Sequence, residues 1–155
     1  MTFRIEALSP EPFAHLFLCD DDTLRRHRAR RMVVDANPGT PCRVSLEDAQ
    51  VGETVVLVNH THLTPGSPYH GTHAIFVREG VAQAHPAPGV VPDVIRSRLI
   101  SLRAFDADGM MTSADVADGD GVAERLDATF ADPSVVHVDL HNAKPGCFAA
   151  RAVRA

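Results

Sequence analysis

Residues 135–147, VVHVDLHNAKPGC, hold the densest cluster of reactive side chains in the chain. Read as a strand, the stretch puts Val136, Val138 and Leu140 on one side and His137, Asp139 and His141 on the other. Imidazoles and a carboxylate on one face can move protons or ligate a metal. Strand residues rise about 3.3 Å each, so the Cα atoms of His137 and His141 lie roughly 13 Å apart, too far for both to share one ion. An adjacent pair, His137 with Asp139 or Asp139 with His141, needs a third ligand from elsewhere. NHTHL offers one, because His60 and His62 share a face at the end of another strand. His60, His62 and Asp139 are therefore the candidate metal ligands, and zinc or iron is the ion that such donors suit. Against this stands the ordinary behaviour of antiparallel sheets, which commonly show one polar face to water. The balance favours the polar face, and no cofactor is expected.

Cysteine chemistry is the second candidate. Cys147 follows HNAKPG, so His141 and Asn142 can approach its sulfur across the turn as a Cys-His-Asn set of the kind nucleophilic hydrolases use. His141 and Cys147 are the candidate catalytic residues. The alternative is that Cys42 and Cys147 are small core residues at strand starts, since free cysteine is among the most buried residue types. Arginines are the third candidate: Arg43, Arg78 and Arg103 each interrupt an apolar run, and a guanidinium is a fixed fork for carboxylate or phosphate. Gathered on one face they make an anion site; kept apart they pair with acids such as Glu53, Glu79 or Asp106. The chain has no G-x-S-x-G elbow, Walker loop or G-x-G-x-x-G, which removes the serine-hydrolase, nucleoside-triphosphatase and Rossmann readings.

The elements that must position these residues can be read from periodicity. Ser9 and Pro10 open a short helix through EPFAHLF, and Asp21 or Asp22 caps a second one that carries the basic run RRHRARR on a solvated face. CRVSL and TVVLVNH alternate around EDAQVGE as an antiparallel hairpin, and HAIFVRE is a third strand. Pro92 opens a helix over PDVIRSR. LISLRAFDADGMMTSADV is a second hairpin with DADG at its turn; as a calcium loop the pattern is incomplete. Val122, Leu126 and Phe130 recur every fourth residue and mark an amphipathic helix that ends before Pro133. The opening stretch and CFAARAV pair around NAKPG. These elements predict an α+β fold: one domain over residues 1–155, a largely antiparallel sheet of about seven strands built from hairpins, and three or four helices.

Composition bounds the rest. Hydrophobic residues make up 45% of the chain and charged residues 23%, close to the soluble average. The start MTFRIEALSPEPF lacks the pattern of a secretory signal and no long apolar run follows, so a cytoplasmic location and no membrane partner are expected. Three cysteines without close spacing argue against a disulfide framework. A net charge of -5 argues against nucleic acid as a partner. Oligomeric state is left open.

PCRVSLEDAQVGE, SPYHGTHAIFVREG, SLRAFDADGMM and HNAKPGCFAAR, in that order over residues 41–151, resemble the bacterial domain-of-unknown-function family numbered 1203. The resemblance implies no activity; it adds Tyr69 to the positions of interest, because the matching blocks contain Cys42, Arg43, Tyr69, Arg78, Arg103, Asp106, His141, Asn142 and Cys147. Two functions stay open. In the first, a small enzyme binds an anionic small molecule through Arg43, Arg78, Arg103, Tyr69 and Asn142, with His141 as acid or base and Cys147 as nucleophile. In the second, a non-catalytic binding or interaction module uses the same residues to hold hairpins together. A concave pocket joining Arg103, His141 and Tyr69 is the feature that separates them.

Overall fold

A computed structural model describes residues 2–63 and 65–155. The chain forms β1 (Phe3–Glu6), α1 (Glu11–Ala14) continued by a 3-10 turn, α2 (Asp21–Arg26), β2 (Ala29–Val33), β3 (Thr54–Thr61) and β4 (Thr72–Arg78). There follow α3 (Asp93–Arg96), β5 (Leu99–Phe105), β6 (Met111–Asp118), α4 (Val122–Thr129), β7 (His137–Asn142) and β8 (Phe148–Arg154). The strands make two antiparallel sheets, one ordered β1-β8-β7-β5-β6 and one ordered β2-β3-β4. This is the expected α+β fold. Among the described residues, no helix is long and apolar enough to cross a membrane.

Each sheet has its own core. Ile100, Leu102 and Ala104 of β5, with Val138 and Leu140 of β7, pack against Val94 and Ile95 of α3 and Val122, Leu126 and Phe130 from α4 and its end. Val56 and Val58 of β3, with Ile75 and Val77 of β4, pack against Phe13, Leu16 and Leu24 from the first helices. The two halves are joined at the edge of β4, where Cys42 forms a short parallel bridge with Phe76 and the Arg43 amide donates to the Phe76 carbonyl at 3.1 Å. The Arg43 carbonyl in turn accepts from the Leu8 amide at 2.9 Å, and β4 lies beside β8.

Four expectations about elements are corrected. CRVSL is not a strand: beyond the bridge at Cys42 it turns, with Leu46 in the left-handed region at φ 52°. Cys42, Val44 and Leu46 are buried, so their alternation reports burial in a folded turn. The partner of β3 is instead β2, which falls inside the basic run read as helix. The helix ends at Arg26, Arg28 takes φ 54°, and the chain returns as the edge strand ARRMV. The cap of α2 is Asp20, one residue early, accepting from the Thr23 amide at 2.7 Å. Lastly, the polar face of β7 is covered: Asp139 is 0% exposed and His141 1%.

Candidate functional site

β7 lies between β5 and β8, and the register lines up side chains across three strands. Arg103, Asp139 and Arg151 stand in one row, and Ser101, His141 and Phe148 in the next toward the β7–β8 turn. Asp139 accepts both arms of the Arg151 fork, from Nε at 2.7 Å and Nη2 at 3.0 Å. Nη2 also donates to the His62 carbonyl at 2.8 Å, which holds the end of β3 over β7. His62 Nδ1 then lies 3.7 Å from Asp139 Oδ2, while His137 Nε2 lies 3.8 Å from Oδ1. Burial alone would raise the Asp139 carboxyl, but His62 and the Arg151 fork prevail and hold it below its usual range. Burial pushes His141 down to about 4, and it also lowers His60 and His137. At neutral pH His137 and His141 are therefore uncharged imidazoles beside an ionised Asp139 carboxylate.

His141 donates from Nδ1 to the Gly146 carbonyl at 3.0 Å, and its Nε2 is buried without a partner. The Phe148 ring stacks on His62, centroids 5.6 Å apart, and meets His141 edge-on. His60 belongs to the helix side of β3, between Phe13 and Phe148, and is not in this cluster. Tyr69 is exposed and rests edge-on against Phe105. Arg103 contacts Ser101. Arg103, His141 and Tyr69 do not line the cavity that the other face of the β7–β8 turn opens onto.

The opposite face of the same turn presents different chemistry. Asn142 and Cys147 point away from His141 and Phe148, and the Asn142 amide nitrogen lies 3.6 Å from the Cys147 sulfur. His141 makes no contact with that sulfur among the described residues; Arg43 does, through Nη2 at 3.0 Å. Arg43 is only 2% exposed, and its other bonds go from Nε to the Phe148 carbonyl at 2.7 Å and from Nη1 to the Pro41 carbonyl. No carboxylate pairs with this guanidinium among the described residues. Burial lowers its pKa, and the sulfurs of Cys147 and Cys42 work in the opposite direction. Arg78, in contrast, is tied to Glu53 at 2.8 Å and Glu47 at 2.9 Å. Cys42 is enclosed in the core, its sulfur accepting from the Arg78 amide.

Arg43, Asn142 and Cys147 form part of the wall of a cavity of about 830 Å³ between β4, the end of α3 and the β7–β8 turn. That is the size of a typical small-molecule site. Its lining also includes Arg96, Arg98 and Lys144. Arg96 is paired with Asp93 and Asp120, and Arg98 with Asp48 at 2.7 Å. Arg43 and the exposed Lys144 thus remain the cations of the lining without a carboxylate among the described residues. The spacing of Asn142 and Cys147 around a turn was visible in the sequence. The part of Arg43 was not, because it lies 104 residues from its sulfur partner. No curated protein and no solved structure matches the chain. The family model described as a protein of unknown function, DUF1203, matches residues 39–154, three quarters of the chain and both faces of the β7–β8 turn, and the chain belongs to that family.

Proposed function

We propose that this protein acts on a small anionic molecule held in the cavity, with Cys147 as the nucleophile, Arg43 and Asn142 as its donors, and Lys144 receiving the anionic group. Arg43 carries this reading. A guanidinium buried without a carboxylate is costly, and it gains most from an anion, either a thiolate or a ligand, at the cavity wall. Asn142 adds a second donor to the same sulfur, so negative charge developing there meets two N–H groups already in place.

The alternative reading as an interaction module also has an observation behind it. Arg43 links the bridge on β4 to the Phe148 carbonyl of β8, and so joins the two sheets. The two readings part on the reactivity of the sulfur. Cys147 is 8% exposed, whereas Cys19 is half-buried, so access alone would make Cys19 the faster thiol. We expect peptide mapping after brief iodoacetamide treatment of the native protein to find Cys147 modified ahead of Cys19 and Cys42. Modification of Cys147 only on unfolding would leave Arg43 as a link between sheets and nothing more.

A further inference from the structure

The buried cluster on the other face of β7 is not used by the cavity chemistry. An imidazole nitrogen of His62, one of His141 and a carboxylate oxygen of Asp139 all lie within 4.8 Å of one another. We propose that these three residues form a binding site for a first-row divalent metal ion of the zinc or iron(II) type. The sequence alone favoured no cofactor; the positions of the unpaired nitrogens point the other way.

His62 Nδ1, His137 Nε2 and His141 Nε2 are all buried and have no hydrogen-bond partner, and of these the nitrogens of His62 and His141 gather with Asp139 in one cluster. Buried polar atoms are nearly always satisfied, so two such lone pairs beside one carboxylate call for an occupant that accepts electron pairs. A bound water has two protons and cannot donate to both nitrogens and the carboxylate at once, whereas a metal cation can take an electron pair from all three. With bonds of about 2.0–2.2 Å, ligand atoms around one ion stand roughly 3–4 Å apart. The 3.7 Å between His62 Nδ1 and Asp139 Oδ2 fits that spacing as it stands. The widest separation, within 4.8 Å, closes with a side-chain movement of under about an ångström.

The outer contacts are those that metal sites require. A ligating histidine gives its other N–H to a carbonyl or carboxylate, which fixes the tautomer. The His141 Nδ1 bond to the Gly146 carbonyl does this and leaves Nε2 as the lone pair. Asp139 is held by the Arg151 fork, and the same arginine grips the His62 carbonyl, so one side chain aligns two of the three ligands. Two nitrogens and one carboxylate are the donor set of catalytic zinc and of the iron(II) facial triad, both of which keep coordination positions open. Because Arg151 already shares the carboxylate charge, the ion would keep most of its own and would suit an anionic fourth ligand. His137 approaches the other oxygen of Asp139 and lies outside the set.

Chelator-treated protein titrated with Co²⁺, followed by ligand-field absorption and calorimetry, tests the site directly. About one equivalent should bind with the spectrum of a nitrogen-ligated ion. Affinity should fall by about tenfold or more in His62→Ala and in His141→Ala, with metal-free circular dichroism confirming that each variant is folded. Cys147→Ser should bind Co²⁺ as the unaltered protein does, which separates this site from the cavity. Negligible binding by the unaltered protein would overturn the proposal whatever the variants do. So would binding that a folded His62→Ala variant retains, since the ion would then be on surface histidines.

Discussion

Two glycines show how narrow the tolerances around the site are. Gly119 forms part of the cavity lining, and a Cβ built on it would stand 2.2 Å from the Arg96 carbonyl oxygen, a backbone atom that cannot swing aside. Gly119→Ala should therefore destabilise the protein by about 1–3 kcal/mol, the usual cost of overpacking, as read by urea denaturation. Wild-type stability in that variant would mean that the approach of α3 to the end of β6 is not rigid. Gly146 has φ 80°, its amide donates to the Asn142 carbonyl, and its own carbonyl receives the His141 proton. Gly146→Ala should cost about 1–2 kcal/mol through backbone strain. It should also disturb both faces of the turn together, slowing Cys147 modification and weakening Co²⁺ binding, where a purely local defect would affect neither.

Among elements, α4 is the one whose periodicity made it plain. Val122 and Leu126 are fully buried against the five-stranded sheet, and Leu126→Ala should lower stability by about 2–5 kcal/mol in the same denaturation assay. The hairpin of β5 and β6 and that of β7 and β8 were equally legible, the first from DADG, where Asp106 Oδ1 accepts from the Asp108 and Met110 amides. β2 was hidden because it is an edge strand: only Ala29 is buried, so its pairing rests on backbone bonds that leave no hydrophobic alternation. Alternation on β7 showed which residues share a face, but the cover over that face comes from His62 and Arg151 on other elements. Sequence could thus assemble Asp139 with His141, and could offer His62, without showing that they are dry. Arg43 and Cys147 were each visible as candidates, and only the bridge between the sheets brings them together.

At the scale of the whole molecule, charge pairs tie the cavity wall to the loop before β3. Burial would raise Asp48, but the Arg98 fork and the Gly39 amide outweigh it and hold the carboxyl below its usual range. A depressed folded-state pKa contributes stability above the unfolded value of about 3.9, and this is lost as pH falls through the folded value. Asp48→Asn should lower the melting temperature at pH 7, with the gap from the unaltered protein closing as the pH drops below about 3. A gap that stays constant into acid would place the pair's contribution in packing instead of charge. The central claim is that Cys147 is a nucleophile in a cavity that favours anions, and the most direct measurement is its alkylation by iodoacetate against iodoacetamide, with Cys19 of the same sample as the internal reference. Relative to Cys19, Cys147 should prefer the anionic reagent by roughly tenfold at low salt, and Lys144→Ala should erode that preference. An equal or lower preference for iodoacetate at Cys147, unchanged in Lys144→Ala, would contradict it.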